Sequence, residues 1–212
     1  MKKAGLPIVF VVLLSLAGCA IGNKYSYNDV VADIHASGSK TVGVAVLDQR
    51  PYVKDGTKSP DFVGLQRAGF GIPYTVATDS EQPLAVDMTR VLVASLARKG
   101  YNAVPAAVSQ ADDRDAAWRK LIATKADLLI LLTLNEWKSD TYMTTTLYYD
   151  VNMQMRDQDG RIVAEQKLEG SDNLGGDAWN PPSHARQAVP QAFKGKVEEL
   201  LNNAEVAAAL QR

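Results

Sequence analysis

Hydrophobic and polar positions divide the chain into a small set of elements. Thr41 to Asp48 carries Val42, Val44 and Val46 at every second position, which predicts a first strand. Ser80 to Lys99 predicts a helix, because Leu84, Met88, Val91, Leu92, Ser95 and Leu96 recur at helical spacing. Asp79 or Ser80 can cap it, Pro83 suits its first turn, and Gly100 ends it. Tyr101 to Val104 reads as a short strand. Ser109 to Ala123 reads as a second helix capped by Ser109, with Trp118, Leu121 and Ile122 on its apolar side. Asp127 to Trp137 is almost continuously apolar, which predicts a central strand buried on both faces. Thr144 to Arg156 alternates, with Leu147, Tyr149, Val151, Met153 and Met155 on one side. The turn Asp157-Gln158-Asp159-Gly160 returns it as a partner strand over Arg161 to Glu169. Ser183 to about Leu210 reads as a last helical region that Pro190 and Gly195 kink or divide.

This order predicts an α+β or α/β fold: a mixed sheet of about five strands with helices on one main face. One globular domain would cover residues 40–212. Two irregular stretches interrupt it. The longer, 51–79, contains Gly56, Gly64, Gly69, Gly71, Pro60 and Pro73. Within it Phe62 to Leu65 and Ile72 to Val76 are placed to pair as a short hairpin across Ala68-Gly69. The other runs from Asn173 to Pro182.

The N-terminus is of a different kind. Lys2 and Lys3 precede an apolar run from Pro7 to Leu16, too short for the ~20 residues of a membrane-spanning helix. It closes on Leu16-Ala17-Gly18-Cys19, which resembles the lipobox of bacterial lipoproteins. That resemblance implies that residues 1–18 are a signal peptide, and that Cys19 receives a diacylglyceryl group and an N-acyl chain. Residues 19–39 would then be a lipidated tether, rich in Gly, Ser and Asn. Several acyl chains on one residue anchor stably where one is marginal. Enteric lipoproteins kept at the inner membrane carry aspartate after the cysteine. Ala20 at that place favours the outer membrane, facing the periplasm.

A second resemblance spans much of Val42 to Tyr149. The tether, Val42-Gly43-Val44, Asp48-Gln49-Arg50, a helix ending Arg98-Lys99-Gly100-Tyr101, and Ala123 to Asp127 before the buried strand are similar to YajG-type envelope lipoproteins. It implies an envelope role and carries over no catalytic residue.

Charge and cysteine usage narrow the chemistry. Removing Lys2 and Lys3 leaves 21 basic against 24 acidic residues, a net charge of −3 without a basic block, which argues against nucleic acid as a partner. Cys19 is the only cysteine, so lipidation would use up the one thiol and the covalent lipid would stand in place of any cofactor. His35 and His184 are the only histidines and lie far apart, which argues against a metal site. No Gly-x-Ser-x-Gly elbow occurs, and Gly64-x4-Gly69-x-Gly71 lacks the lysine of a phosphate loop. Asp112/Asp113 and Glu198/Glu199 read as solvated or helix-end charges. A non-enzymatic role follows. The candidate binding surface is Arg50, Arg67, Phe70 and Tyr74 of the long loop with Trp179 of the second, residue types that dominate binding hot spots. The competing expectation is that these rings fold back onto the sheet edge. Three readings remain: an accessory or assembly factor contacting another envelope protein, a peptidoglycan or glycan-binding module, and an envelope enzyme.

Overall fold

A computed structural model describes residues 23–27 and 29–211. The expected signal peptide, Cys19 and residues 20–22 of the expected tether lie outside them. In chain order the elements are β1 (Lys24–Tyr25), β2 (Thr41–Asp48), α1 (Pro51–Lys54), β3 (Phe62–Arg67), β4 (Pro73–Thr78), α2 (Leu84–Arg98) and β5 (Asn102–Pro105). They continue as α3 (Arg114–Ile122), β6 (Leu128–Thr141), β7 (Thr144–Asp157), β8 (Ile162–Gly176), α4 (Pro181–Leu201) and α5 (Ala204–Gln211).

β6 is the axis. One edge pairs antiparallel with β7 along its length, and β7 pairs with β8. The other edge is shared between two wings. Its first half, Leu128 to Leu134, lies parallel to β2, which carries β5. Its second half, Ser139 to Thr141, lies parallel to β3, which carries β4 and then β1. The sheet therefore has eight strands among the described residues, not about five. The extra strands come from the 51–79 stretch, where the expected hairpin forms as β3 and β4 and joins the sheet, and from the residues read as tether.

The helices do not share one face. α2, α4 and α5 cover the side carrying Val42, Val44, Val46, Ile130, Leu132 and Met153. α3 covers the opposite side, placing Ala117, Trp118 and Leu121 on Ala45, Leu47, Leu129 and Leu131. A strand as apolar as β6 has two faces to keep from water, so one helical layer is not enough. α3 begins later than expected: Asp113 caps it by accepting from Ala116 N at 2.7 Å. Ser109 instead binds Asp112, whose carboxyl is pulled down to about 2, chiefly by its hydrogen bond from Lys120. The last helical region divides at Asn202-Asn203, with Pro190 inside α4.

From Asn23 onward the expected tether is part of the core. Tyr25, Tyr27, Ala32, Ile34 and Ala36 are buried, because the segment runs extended and turns nearly every second side chain inward. The Tyr27 ring packs edge-on against Phe193 at 5.1 Å and its hydroxyl accepts from Trp137 Nε1 at 3.3 Å. Ser95 Oγ accepts from Ala32 N, and Asn202 Oδ1 accepts from His35 N.

The β3–β6 pairing leaves no room for a side chain at Gly64: an added Cβ would stand 2.1 Å from Ser139 Oγ and 2.7 Å from its carbonyl oxygen. Gly64→Ala is expected to lower stability by about 1–3 kcal/mol through overpacking. Urea unfolding checks it, as a lower midpoint at unchanged slope.

Candidate functional site

Open sheets with parallel strands tend to hold ligands beyond the carboxyl ends of strands where the chain direction switches. Here that place is the end of β2 beside β6: the β2–α2–β5 connection covers one face and β5–α3–β6 the other. Its inner part is filled by an ion pair, and beside that pair an apolar cavity of about 200 Å³ remains, walled by Val46, Pro60, Pro83, Ala85, Val86 and Val108. Asp48 ends β2, and Arg50 two residues on is 0% exposed. Arg50 Nε and Nη2 donate to the two Asp48 oxygens at 2.9 and 2.7 Å. Nη1 donates to the carbonyls of Phe62 and Trp137 at 2.6 and 3.2 Å, and Nη2 also to that of Pro60 at 3.1 Å. All the donors of a guanidinium are thereby used. Burial works against its charge, but the hydrogen bond and charge of Asp48 outweigh it and raise the Arg50 pKa. Arg50 is therefore withdrawn from the binding surface expected of it: an arginine with no solvent contact and no free donor cannot receive a ligand.

Tyr52 closes the same region, its hydroxyl donating to Glu136 and Trp137 O, and burial raises its pKa above that of free tyrosine. A second polar cluster ties α4 to the sheet. Lys196 Nζ lies 3.0 Å from Tyr149 Oη, 3.1 Å from Asp172 and 3.3 Å from Glu199. Burial lowers its pKa, but these partners more than reverse that and hold the amine protonated, which suits a clamp and not a nucleophile. His184 Nε2 meets Leu174 O at 2.9 Å, while His35 is held through its backbone by Asn202. Among the described residues no group of three His, Cys, Asp or Glu is placed to hold a metal ion.

The remaining expected residues gather at one end of the sheet. Arg67, the last residue of β3, pairs with Pro73 across the hairpin, and Gln66 lies beside Thr141 of β6. The hairpin tip therefore sits next to the β6–β7 turn at Tyr142-Met143. Thr144 pairs with Gly176, which brings the loop after β8 alongside. Phe70 is fully exposed, Trp179 is 96% exposed, and Ile72, Tyr74, Tyr142 and Met143 are each about half exposed. The rings do not fold back onto the sheet edge. Arg67 is spoken for: Nε and Nη2 bind both oxygens of Asp140 at 2.8 and 2.6 Å, and that pairing raises its pKa.

The backbone beneath two of these side chains has a defined form. Phe70 has φ +61°, a left-handed conformation that costs a non-glycine residue of order 1 kcal/mol. Asp177 Oδ1 accepts from the backbone N–H groups of Trp179 and Asn180 at 2.8 and 3.1 Å, and Asn180 caps α4 through Ser183 N. Exposed apolar groups clustered this way commonly mark an interaction site. Sequence reading missed Ile72, Tyr142 and Met143. A signal was present in the last two: large apolar residues occupy a hairpin turn where Gly, Asn or Asp is the rule.

An apolar groove of about 320 Å³ adjoins the cavity at the end of β2, between α2 and residues 105–108, and shares Ala85, Val86 and Val108 with it. Its charged residue, Arg90, is paired with Asp87 at 2.9 Å, so it gathers no acid and base for catalysis.

No family model and no curated protein matches the sequence. Solved structures do match. Protein XCC0632 of Xanthomonas campestris, a DUF330 protein, is 13% identical over 87% of this chain and 96% of its own, with a TM-score of 0.57. At that identity the likeness is one of fold. Lipoprotein GNA1162 of Neisseria meningitidis is 13% identical over 78% of this chain and 100% of its own, TM-score 0.44. The PelC dodecamer of Paraburkholderia phytofirmans is 14% identical over 85% and 93%, TM-score 0.46.

The two sites should respond oppositely to mutation. Arg50→Gln strands the buried Asp48 carboxylate and three carbonyls, and is expected to cost about 3–5 kcal/mol. Phe70→Ala with Trp179→Ala should stay within about 0.5 kcal/mol of the parent protein. Urea titrations of the two variants side by side provide the measurement.

Proposed function

We propose that this chain is a non-enzymatic lipoprotein of the cell envelope, anchored through acylated Cys19 to the periplasmic leaflet of the outer membrane. It acts by contact, as an accessory or assembly factor, and its working surface is the aromatic end of the sheet. The observation that carries this reading is the contrast between the two regions. Polar groups where a ligand would sit are paired with one another, while large apolar side chains at the loop end face solvent on well-ordered turns. Such an arrangement suits recognition and offers little to bond-making chemistry. The glycan-binding alternative leaned on aromatics working with Arg50 and Arg67. One guanidinium is buried and the other is committed to Asp140, so that alternative loses its polar half.

Two measurements test the proposal. Cys19→Ser should move the protein from the membrane fraction to the soluble periplasmic extract, and a variant that stays with membranes would refute the anchor. Photocross-linkers at positions 70 and 179 in living cells should each give a discrete adduct with an envelope component. Adducts at neither position would show that the working surface lies elsewhere.

A further inference from the structure

We infer that the aromatic loop end docks on the bilayer itself, beside the anchor, with its rings and Met143 seated at headgroup level. The inference rests on the reading that Cys19 is acylated, and it names the occupant of the same surface. Chain direction comes first. β1 runs parallel to β4, with Lys24 opposite Ala77 and Tyr25 opposite Thr78. β4 leads away from the hairpin tip, so residues that precede Lys24 lead toward it. Asn23 is held at the start of this path: its carbonyl accepts from Ala77 N at 3.3 Å, and its side chain donates to Pro182 O at 3.1 Å. Pro182 lies three residues beyond Trp179, so Asn23, the described residue nearest Cys19 in sequence, is bonded to the start of the helix that follows the Trp179 loop.

Lengths decide the rest. Four residues join Asn23 to Cys19, a reach of at most about 14 Å. By register Asn23 stands level with Val76, and the four residues from there to Ile72 span about 13 Å at strand rise. The acylated cysteine can therefore just reach the level of the hairpin tip. A membrane holding its chains cannot stand much further away than the tip itself. Phe70, Ile72, Tyr142, Met143 and Trp179 are then the side chains nearest the lipid. Aromatic rings with one apolar and one polar side are the groups that settle at membrane–water interfaces. Arg67 and Asp140 neutralise each other, and the Asp177 carboxylate beside Trp179 is partly satisfied by two backbone N–H groups. The Asp177 bonds already fix the backbone that carries Trp179 before it meets the surface.

The test uses the protein extracted from membranes with its lipid and reconstituted into phosphatidylethanolamine–phosphatidylglycerol vesicles. Of the three tryptophans, Trp118 and Trp137 are buried, so Trp179 supplies the solvent-sensitive emission and Trp179→Phe isolates it by difference. Relative to the Cys19→Ser protein in buffer, Trp179 emission should shift to the blue on vesicles and its quenching by aqueous acrylamide should fall about threefold. Lipids brominated high on the acyl chain should quench it, and Phe70→Ser with Ile72→Ser should reverse much of the protection. Mass spectrometry of the N-terminal peptide separates the two claims. If Cys19 is acylated and Trp179 stays open to acrylamide, the docking inference fails and the anchor stands. If Cys19 is bare, the anchor reading fails and the inference with it. Protection that arises only on adding an envelope protein would assign the surface to that protein instead.

Discussion

The buried guanidinium of Arg50 holds the two wings of the sheet together. β2 and β3 both lie against one edge of β6, but at different heights, and the chain between them has no strand pairing to close the seam. Arg50 closes it with one side chain. It takes the Asp48 carboxylate from the end of β2, the Pro60 and Phe62 carbonyls from the entry to β3, and the Trp137 carbonyl from β6. That last carbonyl follows a register shift between Leu134 and Glu136, where β6 passes from one wing to the other. A buried charge is costly unless every donor is met, and here every donor is met.

The same interaction decides what the molecule offers to others. Had the end of β2 been left open, it would be the natural place for a small ligand. With its polar groups taken up by an ion pair and by Tyr52, what remains there is a small apolar cavity. The β3–β4 hairpin, clamped at its base by Arg50, carries its tip outward to stand with the β6–β7 turn and the Trp179 loop. Rigid interior polar bonding and an exposed apolar end are thus two ends of one lever arm, the first positioning the second. The N-terminal segment joins them: Asn23 is bonded to Pro182 O near the Trp179 loop, and Tyr25 and Tyr27 then enter the core.

Much of this was legible beforehand, and the failures have causes. β6, β7, α2 and the β3–β4 hairpin follow from periodicity because each buries a regular face. The segment around Tyr25 to Ala36 also alternates, but Gly, Ser and Asn nearby and the adjacent lipobox favoured a tether. Its partners are α2 and α4, up to 169 residues away, and no local pattern reports them. Phe70 and Trp179 were candidates from their setting in irregular loops, set against the expectation that their rings fold back onto the sheet edge, and the structure leaves both exposed. Arg50 was misread for the same reason: a loop arginine is usually at the surface, and only the seam between two wings makes this one interior.

By itself the sequence determined the elements that repeat along one strand or helix and the chemistry of isolated residues, because periodic burial and side-chain type are written locally. It also carried Leu16-Ala17-Gly18-Cys19, whose resemblance to a lipobox is likewise local. Tertiary structure alone decided which arginine is buried, which helix covers which face, and which loops stand together. Those depend on contacts between residues far apart in the chain, whose energies of pairing and burial exist only once the sheet has brought them into register.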